Sequence, residues 1–133
     1  MPKISEKKYK VVILYLTEKL GGEIKGKKKL AKLLYFVDFD FFEFSEGTSV
    51  TGDSYKALPM GPFPNQLDAV TQKMKDDNAL TIGKVVEREG YIATEVYQCK
   101  KEPDLTLFSE EEKKMLDRIV ARYGQLTGKQ LED

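Results

Sequence analysis

Histidine and tryptophan are absent from this chain of 133 residues, and a single cysteine, Cys99, is present. Without an imidazole, no side chain is available to activate the thiol, so papain-like chemistry at Cys99 is excluded. A lone cysteine without histidine also cannot build an ordinary zinc site. One cysteine makes no internal disulfide, which places the chain by expectation in a reducing cytoplasm. Long apolar runs are lacking as well. The stretch Val11–Leu16, VVILYL, is six residues long, far short of the roughly 20 that a membrane span needs. A basic start, MPKISEKKYK, precedes it, but no small-residue cleavage site follows, so no signal peptide is expected.

Net charge is lacking too, since 22 basic residues balance 22 acidic ones. The balance is uneven along the chain: residues 1–34 carry ten lysines against three acids, and the remainder twelve basic against nineteen acidic residues. A uniformly basic DNA-binding domain does not look like this. The early lysines either answer acids elsewhere on the same domain or meet an acidic protein or a phosphate backbone locally. With 41% hydrophobic and 33% charged residues, the composition is that of a globular domain, and the length suits a single core spanning residues 1–133.

What is present is mostly helical periodicity. Residues 5–20 predict a first helix, with Ser5 as N-cap and Tyr9, Val12, Ile13, Leu16 and Leu20 along one face, ended by Gly21-Gly22. Residues 27–44 predict a second, apolar nearly all round and therefore central. Residues 45–62 read as a loop with a short extended piece at Ser54–Leu58. Pro62 and Pro64 suit the start of a third helix, about Pro64–Asp76. The alternating runs 80–87 and 91–98, split by Arg88-Glu89-Gly90, predict a β-hairpin. Ser109 followed by Glu112 opens a helix that runs to Tyr123, and Thr127–Asp133 reads as the first turn of another, as though the native chain continues. The expected fold is α+β, mainly helical, with four to five helices and one antiparallel hairpin.

Several motifs invite chemistry. Gly21 to Lys27 fits G-x-x-x-x-G-K, but Lys28 stands where a phosphate loop needs Ser or Thr; a lysine-rich turn between helices accounts for it. Asp38 and Asp40, two apart on a helix, point in different directions and cannot share one substrate atom. One is expected to face solvent and the other to accept hydrogen bonds from the loop or a helix start. Three helices before a hairpin also fit a winged helix, yet the third helix, NQLDAVTQKMKDDN, has two lysines against three aspartates, which suits no phosphate backbone. Six aromatics between Tyr35 and Phe44 are in the first place core. Their number exceeds what one helix easily hides, so an edge of the cluster with Tyr55 and the Gly61-Pro62-Phe63-Pro64 corner offers a protein-binding surface.

Two of these segments together carry a family resemblance. LAKLLYFVDF, with Lys32, Leu33, Leu34, Tyr35, Phe36 and Asp38, and TGDSYKALPMGPFP, with Tyr55, Ala57, Gly61, Pro62 and Pro64, resemble the paired motifs of the SocA-like Panacea antitoxin domain. Val37 and Phe63 replace the family's usual alanine and valine. The resemblance implies a mainly helical, phage-associated domain that binds and neutralises a cognate toxin protein without catalysis, and the residues themselves give no reason to expect a cofactor or metal. Its alternatives are a winged-helix DNA-binding regulator and an adaptor that delivers a toxin to a protease; neither nucleic acid nor a membrane is an expected partner. Candidate partner-binding residues are Tyr55, Lys56, Gly61, Pro62, Phe63 and Pro64 at the corner and Lys25, Lys27 and Lys28 at the lysine-rich turn. Lys32, Leu33, Leu34, Tyr35, Phe36, Asp38 and Ala57 are expected to be structural.

Overall fold

A computed structural model describes residues 5–59, 61–86 and 93–132. Helix α1, Glu6–Lys19, begins at Ser5, whose side chain accepts from the Lys8 N–H, and ends just before the Gly21-Gly22 pair. The turn that follows is not the simple helix–helix connection expected. Strand β1, Glu23–Lys25, intervenes before helix α2, Lys27–Ser45. Ile24 fixes that strand by burying its side chain while its two neighbours stay exposed.

The extended piece expected at Ser54–Leu58 is present as a strand, but the residues after it, read as loop and helix start, pair with it in a second hairpin. Strands β2, Tyr55–Leu58, and β3, Gly61–Pro64, pair antiparallel, with Tyr55 opposite Pro64 and Leu58 opposite Gly61. Proline lacks an N–H, which argues against strand interiors. Pro62 and Pro64 are tolerated because they alternate: their ring nitrogens fall on the outer edge, while Gly61 and Phe63 face β2. Helix α3 accordingly begins at Leu67 rather than Pro64 and runs to Asp76.

The expected later hairpin is present as β4, Leu80–Val85, and β5, Thr94–Cys99; its turn at Arg88-Glu89-Gly90 lies outside the described residues. β1 adds to the far side of β5, giving a sheet ordered β1-β5-β4. Helix, strand, two helices and a hairpin, with the first strand paired to the last, is the connectivity of a winged helix, here with β2–β3 inserted between α2 and α3. Helix α4, Glu110–Tyr123, opens with the capping box formed by Ser109 and Glu112, and α5, Gly128–Glu132, closes the described chain.

One hydrophobic cluster unites these elements. Tyr9, Val12, Ile13 and Leu16 of α1, Leu30, Leu33, Leu34 and Val37 of α2, Leu67 and Met74 of α3 and Leu116 and Ile119 of α4 are all fully buried. Among the described residues, no helix is long and apolar enough to cross a membrane. Three of the early lysines answer acids on the same domain: Lys8 pairs with Glu112, Lys10 with Glu6 and Asp77, and Lys27 with Asp68.

Candidate functional site

The loop joining α2 to β2 is held down by two buried carboxylates. Asp38, on the inner face of α2, accepts from the backbone N–H groups of Val50 and Thr51 at 3.0 and 2.8 Å. Its other oxygen accepts from the Thr51 hydroxyl at 2.5 Å and the Tyr55 hydroxyl at 2.6 Å. Burial pushes the Asp38 pKa upward and these four bonds, each accepted by the carboxylate, pull against it. Asp53, in the loop itself, accepts from the Tyr9 hydroxyl of α1 and the Gln66 N–H ahead of α3, both at 2.8 Å. Asp40, by contrast, is partly exposed, so the two aspartates diverge as their spacing requires.

Tyr55 carries this anchoring into the hairpin. Burial, reinforced by the Asp38 charge, drives its phenol pKa far above the ordinary value, so it remains a proton donor. The Tyr55 ring meets Tyr35 edge-on, with centroids 5.6 Å apart, and Tyr35 stacks on Phe39 at 5.4 Å. Between α2 and the hairpin this leaves a groove of about 370 Å³, whose walls include Tyr35, Phe39, Phe42, Tyr55, Ala57 and Pro62, with Asp38 at its floor. The aromatic run of α2 divides accordingly. Phe36 stacks on Tyr123 of α4 and Phe41 is buried, whereas Phe39, Phe42 and Phe44 are 46, 48 and 61% exposed.

The other face of the hairpin lines a second groove, of about 260 Å³, with Lys27, Lys28, Ala31, Lys32, Leu58, Gly61, Pro62 and Phe63. Both grooves share Pro62. The structure therefore gathers Lys27, Lys28, Gly61, Pro62 and Phe63 at one place and Tyr55 and Lys56 beside the other. Lys56 lies 5.6 Å above the Phe63 ring. Lys25 lines a neighbouring depression that it shares with Lys28, Thr94 and Gln125, and Pro64 is buried. Phe63 is itself half-buried against the core, so it serves the fold as well as the surface.

The two sequence motifs prove to be two sides of one contact. Lys32 meets Gly61, Tyr35 meets Tyr55, and Asp38 meets Tyr55. Positions 32, 35 and 38 recur at helical spacing, which brings all three to the hairpin side of α2, while Leu33 and Leu34 point into the core with no exposure. Residues 30–133 match the antitoxin SocA-like family, Panacea domain. The chain belongs to that family. No curated protein and no solved structure matches it. The match opens within α2, yet α1, which precedes it, supplies Tyr9 to the Asp53 anchor and much of the core.

Sequence reasoning missed the pairing of β2 with β3 and the Lys32–Gly61 approach. A signal for the pairing existed. Two four-residue runs, 55–58 and 61–64, are separated by two residues, the commonest hairpin spacing.

Proposed function

We propose that this Panacea domain neutralises a toxin protein by direct, non-catalytic contact, using the aromatic face that α2 and the β2–β3 hairpin share. The observation that carries this reading is the pair Phe39 and Phe42, each about half exposed, on the wall of an apolar groove. Exposed aromatics clustered around a pocket are unfavourable in water and are the residue type that anchors protein interfaces. The polar groups at the groove floor are already committed: Asp38 and Tyr55 hold one another and the loop, leaving no poised acid–base pair.

The winged-helix connectivity gives DNA binding a topological case, but α3 carries two lysines and two aspartates, and its Lys73 is paired with Glu6. Such a helix offers phosphate little net attraction. The deciding experiment co-expresses the protein with the toxic product of the neighbouring gene. Rescue of growth by the wild type and its loss in Phe39→Ser/Phe42→Ser, with both proteins soluble, supports direct inhibition through this face. Rescue undiminished in the double variant contradicts it. Rescue that disappears in a protease-deficient host assigns the adaptor role instead.

A further inference from the structure

We propose that Lys32 is a reader of carboxylate groups, built to receive an Asp or Glu side chain that the partner protein presents beside an apolar residue. The inference rests on the partner-binding reading above and names the chemistry of what is bound.

Lys32 is 8% exposed. Its ammonium lies so close over Gly61 that a Cβ added there would fall 1.8 Å from Nζ, and Gly61 holds a φ of +120° that disfavours side chains in any case. Other lysines at this end of α2 have partners: Lys27 pairs with Asp68 at 2.8 Å and Lys29 donates to the Gly124 carbonyl at 2.7 Å. Lys32 has neither a hydrogen-bond nor an ion-pair partner among the described residues. No side-chain nitrogen or oxygen that is fully sealed among them lacks a partner. The Lys32 ammonium therefore keeps its opening into the groove that it lines with Ala31, Leu58, Pro62 and Phe63, and with Lys27 and Lys28, both of which already have partners.

An unpaired cation set among apolar walls is unfavourable for the fold. If the stem alone mattered, methionine would fill the space without that cost. The charge is thus kept for something that arrives from outside. A single ammonium matches one carboxylate; a phosphate dianion favours several donors or a guanidinium fork. The apolar walls and the exposed Leu58 add a seat for an aliphatic neighbour of that carboxylate.

The test needs no toxin. The probe is the capped tripeptide acetyl-Leu-Glu-Leu-amide, with its Glu→Gln analogue as control, titrated to millimolar concentration while the amide resonances of Gly61 and Phe63 are followed. In the wild type the glutamate peptide shifts both resonances saturably, and the glutamine analogue binds about tenfold more weakly, the worth of one charge-assisted hydrogen bond. Lys32→Met abolishes the difference between the peptides while its melting temperature stays equal to or above that of the wild type; Gly61→Ala, which obstructs the ammonium, also loses the response. No response to the glutamate peptide, an equal response to both, or a clear fall in the melting temperature of Lys32→Met overturns the assignment and makes the ammonium a structural group. Failure here leaves toxin neutralisation standing, and failure of growth rescue leaves the peptide result intact.

Discussion

The seam between α1 and α4 and the seam between α2 and the β2–β3 hairpin are built from the same materials but finished differently. On the first, Lys8 meets a buried Glu112 that also caps α4, Tyr15 donates to Asp117, and Leu116 and Ile119 are fully covered. On the second, the loop anchors are equally complete, yet two phenylalanines, Phe39 and Phe42, stand about half in solvent and one lysine has no counter-charge. Core physics explains the first seam entirely. The second retains surplus apolar surface and surplus charge, and a partner is the simplest account of both.

The largest expected effect strikes both seams at once. Burial raises the pKa of Tyr9, Tyr15, Tyr55 and Tyr97, helped by hydrogen bonds to Asp53, Asp117, Asp38 and Glu95. Their protons are held more tightly folded than unfolded, where they leave near about pH 10. The stability they contribute is full below that value and is lost as pH climbs from there through their higher folded-state values. In an alkaline titration, the phenolate absorbance of these four is expected to appear together with loss of helical circular dichroism; phenolate formation well ahead of unfolding would show that these hydroxyls are not enclosed.

Next come substitutions that test whether the anchors are structural. Asp38→Ala strands four donors, two of them backbone, and is expected to cost about 3 kcal/mol in denaturant unfolding. Leu116→Ala on the finished seam is expected to cost a similar amount, about 3 kcal/mol, by opening a cavity. If Asp38→Ala left stability unchanged and removed partner binding, the carboxylate would belong to the interface instead. Tyr55→Phe removes one of the four bonds and is expected to cost about 1.5 kcal/mol. The smallest stability effect sharpens the contrast most: Phe39→Ser/Phe42→Ser should change unfolding free energy by no more than about 0.5 kcal/mol per site, yet weaken partner binding.

The helices were legible in the sequence because each carries a periodic apolar face with punctuation: Ser5 opens α1, the Ser109–Glu112 box opens α4, and alternation marks β4 and β5. The divergent roles of Asp38 and Asp40 followed from spacing alone. The hairpin did not, since proline propensity in Gly61-Pro62-Phe63-Pro64 favours a helix start, and only edge placement with alternate prolines makes it a strand. Nor did the sequence say which phenylalanines of α2 are covered. That depends on where Tyr123 and the hairpin land, which is a matter of tertiary packing. Within the family motifs, Lys32, Tyr35 and Asp38 each touch Gly61 or Tyr55 of the other segment, whereas Phe36 stacks on Tyr123 of α4.

The most direct test of the unfinished seam is a calorimetric titration of the neutralised toxin against three folded proteins: wild type, Phe39→Ser/Phe42→Ser, and Lys113→Ala at a partly exposed site on α4. The account predicts that the double phenylalanine variant loses binding while Lys113→Ala matches the wild type. Equal affinity for all three would place the partner elsewhere on the molecule and contradict the account.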